Sequence, residues 1–394
     1  MTIRFLTSGE SHGPALVAIL EGIPAGLELS EDIINKELSR RQKGYGGGGR
    51  MKIEQDTVKI IAGIMAGKTI ASPIAMLIQN KDHAKWQRRS IQPFTIPRPG
   101  HADLTGAIKY NFHDLRLALE RASARETAAR TAIGAVCKHL LAQFGIIVGG
   151  YVTSIGDVTA QLDGISLDER ITLAESSDVR CPSTESSNNM RLLIENTIQE
   201  KDTLGGVVEI VALGVPPGLG SYIQWDRRLS ARLGAALLSV PAIKGVEFGD
   251  GFKLAGLTGT HVQDAIYLEG DKIIRKTNHA GGMEGGISNG EPLVMRVVMK
   301  PIATTLTPQS SVDLASRTET FSQYERSDFC PLPRVVPVLE GMTAIVLADA
   351  LLEKLGGDSM DEIQLRFESL RKASLSNIFM DNTPHIFWGG ENQS

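Results

Sequence analysis

Apolar residues recur along this chain with two periods, which divide it into strands and helices. Short runs that alternate or stay apolar between turn residues predict strands at 15–20, 58–64, 146–155, 207–213, 264–268 and 293–299, with a shorter one at 3–7. Their turn signals suit antiparallel pairing. Longer stretches predict helices at 30–42, 105–144, 226–238 and 341–355, the second with room for one bend or break. The last follows Pro331, Pro333 and Pro337 and ends at Gly356 and Gly357, a strong helix stop. Strand groups interrupted by long helices, with no regular strand–helix–strand beat, predict an α+β fold, a helical layer sandwiched between antiparallel β-sheets. The glycines gather in short motifs and no Pro/Ser-rich hinge interrupts the chain, so residues 1–394 read as a single domain.

The helix predicted at 105–144 has the least ordinary surface. Glu120-Arg121-Ala122-Ser123-Ala124-Arg125-Glu126-Thr127 sets two arginines four apart. On a helix these are neighbours, and like charges there repel by about 0.2–0.5 kcal/mol. Ala118, Ala122, Ala124, Ala128, Ala129, Ala132 and Gly134 are small enough for backbone or a flat ligand to come close. Two readings stand. Either an anion lies between the guanidinium groups, or both are surface residues and Arg116–Glu120 and Glu126–Arg130 are solvated pairs.

Composition narrows the classes of function. The chain is 42% hydrophobic and 22% charged, with no apolar run that reads as long enough to cross a bilayer. Residues 1–5 lead into Gly-Glu-Ser-His without the basic region and apolar core of a signal peptide. Cys137, Cys181 and Cys330 are odd in number and widely spaced, which argues against a disulfide framework or a CxxC zinc site and for a reduced, cytoplasmic protein. A net charge of −4 disfavours a nucleic-acid binder with a broad basic surface, so any anion must be caught by local arginines.

Several motifs carry chemistry. Gly9-Glu10-Ser11-His12-Gly13-Pro14 leaves His12 unscreened between glycines, with Ser11 beside it to hold the ring, and histidine is the side chain best matched to proton transfer near neutral pH. The plain alternative is an idle loop histidine. Arg98-Pro99-Gly100-His101-Ala102-Asp103 presents His101 on a turn, with Asp103 either a helix cap or, together with His101, half of a metal site. No HExxH and no close second ligand pair supports the metal. The segment from Ser39 to Arg50 places Arg40, Arg41, Lys43 and Arg50 around a polyglycine turn, which suits a lid over an anionic substrate. It lacks the GK[ST] of a phosphate-binding loop and follows a helix, unlike a dinucleotide fingerprint. Gly285-Gly286-Ile287-Ser288-Asn289-Gly290 with Lys300-Pro301-Ile302-Ala303-Thr304-Thr305 reads equally as a phosphate-and-ring cradle or as a glycine-rich hairpin. Arg326-Ser327-Asp328-Phe329-Cys330 offers Asp328 as an orienter or base, or as a structural partner of Arg326; Cys330 reads as core. The profile is one of acid/base work on a small polyanion, helped by a phosphate-bearing cofactor. A metal-dependent hydrolase using His12, His101, Asp103 and Asp328 is the competing enzyme, and a non-catalytic flavin or polyanion binder the competing class.

Eight motifs in order resemble the chorismate synthase family: GESHGPALVAILEGIPAG, RRQKGYGGGGRM, RPGHADLTG, LERASARETAARTAIGA, PAIKGVEFGDGF, GGMEGGISNGEP, MKPIAT and RSDFCPLPRVVPVLEGM. The resemblance implies a 1,4-anti elimination of phosphate from 5-enolpyruvylshikimate 3-phosphate, with reduced FMN required although nothing is oxidised overall. A substrate with two carboxylates and a phosphate calls for an arginine-rich, water-poor pocket. By the same resemblance His12 protonates the departing phosphate, and His101 keeps the reduced flavin in its productive protonation state. Asp328 assists removal of the ring proton, and Ser11 and Ser123 relay protons. Arg41, Arg50, Arg98, Arg125 and Arg326 are implied to bind the substrate. FMN is implied to contact Arg121, Ala122, Ser123, Pro241, Ala242, Gly285, Lys300, Pro301, Ile302, Ala303, Thr304 and Arg326. A homotetramer is implied, with no nucleic-acid, membrane or metal partner. The family's usual loop arginine is replaced here by Gly47, which leaves open one anion contact and an NADP site at Arg41 and Gly47. Whether the chain reduces its own flavin with NADPH or draws on an external source is likewise open.

Overall fold

In the computed structural model, which describes residues 2–47, 55–325, 327–385 and 387, two antiparallel sheets frame the chain. The first contains β1 (Arg4–Ser8), β2 (Ala15–Glu21), β3 (Val58–Ala62) and β4 (Ile74–Gln79), in the order β1-β2-β4-β3. Leu16, Ala18 and Leu20 of β2 lie opposite Ile78, Met76 and Ile74 of β4, and all six are buried. The period of two turns them to one face. The second sheet contains β5 (Ile147–Ile155), β6 (Val158–Thr159), β7 (Gly206–Leu213), β8 (Ile243–Phe248) and β9 (Leu293–Met299), in the order β8-β9-β7-β5-β6.

The helices are α1 (Glu31–Gln42), α2 (Asp103–Tyr110), α3 (Arg116–Ala122), α4 (Thr127–Ala142), α5 (Leu167–Ser176), α6 (Thr184–Gln199), α7 (Leu229–Leu238), the short α8 (Gly259–Val262), α9 (Leu332–Leu355) and α10 (Met360–Glu368). Helix α4 packs on β2 of the first sheet, α9 packs on β5 and β7 of the second, and the two helices pack on each other. Their closest approach is at Gly134 and Gly341. The small residues of α4 therefore serve a helix crossing and not a flat ligand. The α+β class with antiparallel sheets stands as expected from the sequence.

Three expectations fail for physical reasons. The helix at 105–144, expected with at most one break, is broken twice. Asn111 takes a left-handed conformation (φ 54°) at the end of α2, and Ser123 is extended (ψ 141°) after α3. The Ser123 hydroxyl then accepts the Arg125 N–H at 3.3 Å and starts the 3₁₀ turn Ala124–Glu126, the local competition by which serine ends helices. Arg121 and Arg125 are consequently not neighbours on one face. Second, α9 begins at Leu332, not at 341, because Pro331 and Pro333 sit at its start, where no N–H is needed, and Pro337 is carried inside it. Third, α9 is long and apolar enough by composition to cross a bilayer, with mean hydropathy 1.9, yet it is buried in the core. Strands β4 and β8 and helices α5, α6 and α10 were not expected from the sequence, although the apolar run of β4 between Pro73 and Asn80 carries a strand signal.

Candidate active site

A cavity of about 650 Å³ opens where several loops converge, with Arg41 of α1, Trp86 and the Pro241–Ala242 turn among its lining besides the five segments that follow. These five are the β1–β2 connection with Ser11 and His12, the turn before α2 with Arg98 and His101, the α3–α4 break with Ser123 and Arg125, the segment after β9 with Lys300 and Thr304, and the start of α9 with Asp328 and Arg334. Loops at the ends of rigid elements are the ordinary place for reactive side chains.

Each histidine is held at its Nδ1 by a carboxylate. The His12 Nδ1 is 2.7 Å from Glu120 Oε1, and its backbone N–H donates to Glu120 Oε2 at 2.7 Å. Its ring lies against Trp86, centroids 4.4 Å apart. Burial pushes the Glu120 carboxyl up, but hydrogen bonds from the His12 ring and backbone outweigh it and hold the group below the usual carboxylate range. The His101 Nδ1 is 2.6 Å from Asp103 Oδ1. Asp103 also receives the Arg98 backbone N–H at 3.0 Å, Nε at 2.8 Å and Nη2 at 2.9 Å. Burial raises the Asp103 carboxyl, and Arg98 and then His101 draw it far below its ordinary value. The aspartate thus organises the turn and does not cap α2. Lys300 Nζ closes the same turn from the other side, donating to the Gly100 carbonyl at 2.8 Å.

The cavity floor concentrates positive charge. Arg125 donates through Nε to Asn80 Oδ1 at 2.9 Å and through Nη1 to Asp56 Oδ1 at 2.5 Å, while its buried Nη2 has no hydrogen-bond partner among the described residues. Arg41 donates to Thr127 Oγ1 at 3.1 Å and to the Ala124 carbonyl at 2.9 Å, with Asp56 Oδ2 at 3.5 Å. Arg334 pairs with Asp328. Burial lowers the Arg41 guanidinium to about 10; Asp56 opposes the shift, and Arg334 and Arg125 add to it. Three guanidinium groups thus stand together in the lining, with Asp56 and Asp328 among their partners, and would attract an entering anion. The lining also holds apolar residues: Leu119, Ala122, Pro241, Ala242, Ile302 and Ala303. Ala242 keeps a left-handed backbone (φ 68°), and its carbonyl receives the Lys300 N–H at 3.0 Å.

The cavity gathers most of the residues singled out from the sequence: Ser11, His12, Arg41, Arg98, His101, Ala122, Ser123, Arg125, Pro241, Ala242, Lys300, Ile302, Ala303, Thr304 and Asp328. Ser123 Oγ donates to Ser11 Oγ at 3.2 Å, made possible by the extended Ser123 backbone. Arg98 is largely committed to Asp103, leaving Nη1 directed at Thr304 Oγ1, 3.3 Å away. Arg121, Gly285, Pro301 and Gly47 are not among the residues that line it. Arg121 instead donates to the Thr7 carbonyl at 2.9 Å. Gly285 lies at the tip of the hairpin Met283–Glu284 and Ile287–Ser288. Arg50 and Arg326 lie outside the described residues. The start of the glycine segment is tied down: Tyr45 N–H donates to the Asp178 carbonyl at 2.8 Å, and the Gly46 carbonyl receives Phe329 N–H at 2.9 Å. His12, His101, Asp103 and Asp328 form no metal-sized cluster among the described residues. Cys330 is buried, which pushes its thiol up to about 12, as a core residue would show.

Sequence reasoning missed Asp56, Asn80, Trp86, Arg334 and the pairing of Glu120 with His12. Arg116 lies over the Trp86 ring at 5.7 Å while the Glu120 carboxylate is taken by His12. The Glu126–Arg130 pair is present at 2.9 Å.

A family model described as chorismate synthase matches residues 3–352. A chorismate synthase of Aquifex aeolicus is 52% identical over 387 residues, covering 93% of this chain and 96% of that protein. One of Syntrophotalea carbinolica is 48% identical over 376 residues, covering 93% and 97%. A crystal structure of chorismate synthase superposes with a TM-score of 0.77 at 46% identity, covering 93% of this chain and 97% of the other.

Proposed function

This chain belongs to the chorismate synthase family, and we propose that its elimination reaction is carried out in the cavity between His12 and His101. The reaction is the family's 1,4-anti elimination of phosphate from 5-enolpyruvylshikimate 3-phosphate to chorismate, the last step of the shikimate pathway to aromatic amino acids. The family requires reduced FMN without net redox change.

The residues present fit such a cofactor. The cavity is large enough for a ring system beside a small substrate. The wall of Ala122, Pro241, Ala242, Ile302 and Ala303 suits a flat ring, and the Nη2 of Arg125, without a hydrogen-bond partner among the described residues, suits an oxyanion. Ala122, Ser123, Pro241, Ala242, Lys300, Ile302, Ala303 and Thr304 would hold it. When bound, reduced flavin lends electron density to the substrate ring and recovers it, chemistry that belongs to the cofactor.

The observation that carries the reading is common to both histidines. Each meets a carboxylate through Nδ1 and lines the cavity, and the Nε2 of His101 also lies 3.4 Å from Arg98 Nη2. His12 would donate its proton to the leaving phosphate oxygen as the ring C–O bond breaks. His101 would hold the protonation state of its surroundings, and Asp328, steadied by Arg334, would assist removal of the ring proton. Ser11 and Ser123, hydrogen-bonded to each other, would relay protons. Arg41 and Arg125 would bind the substrate anions, with Arg98 contributing Nη1. NADPH as the reductant draws no support from Gly47, which is exposed and outside the cavity wall.

The packing of α4 on one sheet and α9 on the other supports a helical layer between two sheets, and one buried cluster running from Ile3 to Ile363 supports a single domain. Exposed Tyr222, Ile223 and Trp225 in one segment support a self-associating surface, here read as that of a homotetramer. Three free, buried cysteines are in keeping with the cytoplasm. His12→Ala and His101→Ala should each lower turnover by roughly two to four orders of magnitude while flavin binding survives. Near-normal turnover in either variant removes that residue from the mechanism.

A further inference from the structure

Glu120 sits in the last turn of α3 and reaches the β1–β2 connection, 108 residues earlier in the chain. Its two carboxylate oxygens address two different groups of one residue, the backbone N–H and the ring Nδ1 of His12, both at 2.7 Å. Such a two-point grip fixes the position of the residue and the rotation of its ring together. Two further contacts complete the clamp. The Trp86 ring lies against the imidazole, with the Arg116 guanidinium, one helical turn before Glu120, on the same indole at 5.7 Å. The His83 ring meets the His12 carbonyl at 2.9 Å.

We propose that Glu120 is a positioning residue for the elimination, fixing His12 with its proton on Nδ1 so that Nε2 alone exchanges protons with the phosphate. The proposal rests on the reading of His12 as the proton donor. A carboxylate cannot donate, so the ring nitrogen facing Glu120 must carry a hydrogen in every protonation state that keeps the 2.7 Å contact. When protonated, His12 passes the Nε2 proton to the phosphate oxygen. The C–O electron pair leaves with phosphate, and the neutral imidazole left behind keeps its Nδ1–H on Glu120. The same partner thus serves the residue before and after the transfer. This is the division of labour in which a carboxylate sets a histidine's tautomer without exchanging protons itself.

Glu120→Gln tests the idea with almost no change in shape. The amide oxygen can still accept the His12 backbone N–H, but the amide NH₂ then faces Nδ1 and can only donate. Nitrogen-15 spectra of histidine-labelled free protein, with His12→Asn to assign the signal, should show neutral His12 protonated on Nδ1 in the parent and on Nε2 in Glu120→Gln. Turnover should fall roughly 10²-fold or more, with substrate KM and flavin affinity within about threefold. Glu120→Asp, which keeps the charge on a shorter arm, should retain Nδ1 protonation and fall between the two. An unchanged tautomer, or normal turnover in Glu120→Gln while His12→Ala is inactive, overturns the role of Glu120 and leaves His12 in place. A matching loss of flavin binding and melting temperature would show a merely structural role and overturns it too. Normal turnover in His12→Ala defeats the underlying reading, and the proposal with it.

Discussion

The crossing of α4 and α9 offers a sharp test of how the fold supports the site, through Gly134→Ala. A Cβ at Gly134 would lie 2.3 Å from Gly341 Cα and 2.9 Å from its carbonyl carbon. Carbon atoms normally rest about 3.5–4.0 Å apart, and backbone cannot rotate away, so the helices must separate by roughly 1 Å or more. Overpacking of this kind costs about 1–3 kcal/mol, and a backbone clash belongs at the upper end. Replacing glycine by alanine inside a helix returns about 1 kcal/mol, leaving a net loss of about 2 kcal/mol. The reciprocal change is the control. A Cβ at Gly341 comes no closer than 3.3 Å to Gly134 Cα, a contact that a shift of a few tenths of an ångström relieves. Gly341→Ala should therefore be neutral or slightly stabilising. Because α4 starts at Thr127, which holds Arg41, the Gly134 variant should also raise substrate KM. Urea unfolding followed by circular dichroism at a fixed protein concentration measures both variants. Equal stability of the two, or a stable Gly134→Ala, would refute the reasoning.

Glu340 and Gly47 give two further expected outcomes. Burial alone would push the Glu340 carboxyl up, but Lys138 and then Arg40 outweigh it and hold it at about 2. A depressed folded value gives stability that is present above the ordinary 4.5 and lost as pH falls towards 2; Glu340→Gln should lower stability at pH 7 by about 3 kcal/mol or more and flatten the acid limb measured by melting. Gly47→Arg should tighten substrate affinity by up to about tenfold, about 1.4 kcal/mol, relative to Gly47→Ala; identical KM values in the two would show that no anion is within reach.

What the sequence made legible was local. Glycine and proline mark the turns that carry His12 and His101, and the cations beside glycines pointed to Arg41, which lines the cavity. The strands β2, β5, β7 and β9 showed because apolar side chains alternate or run unbroken against a core. What stayed hidden was pairing across distance. Asp56 and Asn80 meet Arg125 from 69 and 45 residues away, and Arg40 reaches Glu340 across 300. Nothing in local spacing says which carboxylate answers which cation, which is why the pairing of Glu120 with His12 across the fold stayed hidden. The place of the α3–α4 break was hidden because alanine-rich flanks favour helix, while the Ser123 hydroxyl ends it by accepting the Arg125 N–H. The start of α9 was hidden because prolines read as loop even at positions where a helix accepts them.

Anaerobic release of phosphate from 5-enolpyruvylshikimate 3-phosphate tests the account most directly, comparing chemically reduced FMN with oxidised FMN alone. One phosphate and one chorismate per substrate are expected with reduced flavin, no turnover with oxidised flavin, and loss of both products in His12→Ala. Phosphate release that proceeds equally with oxidised flavin, or that is undiminished in His12→Ala, would contradict it.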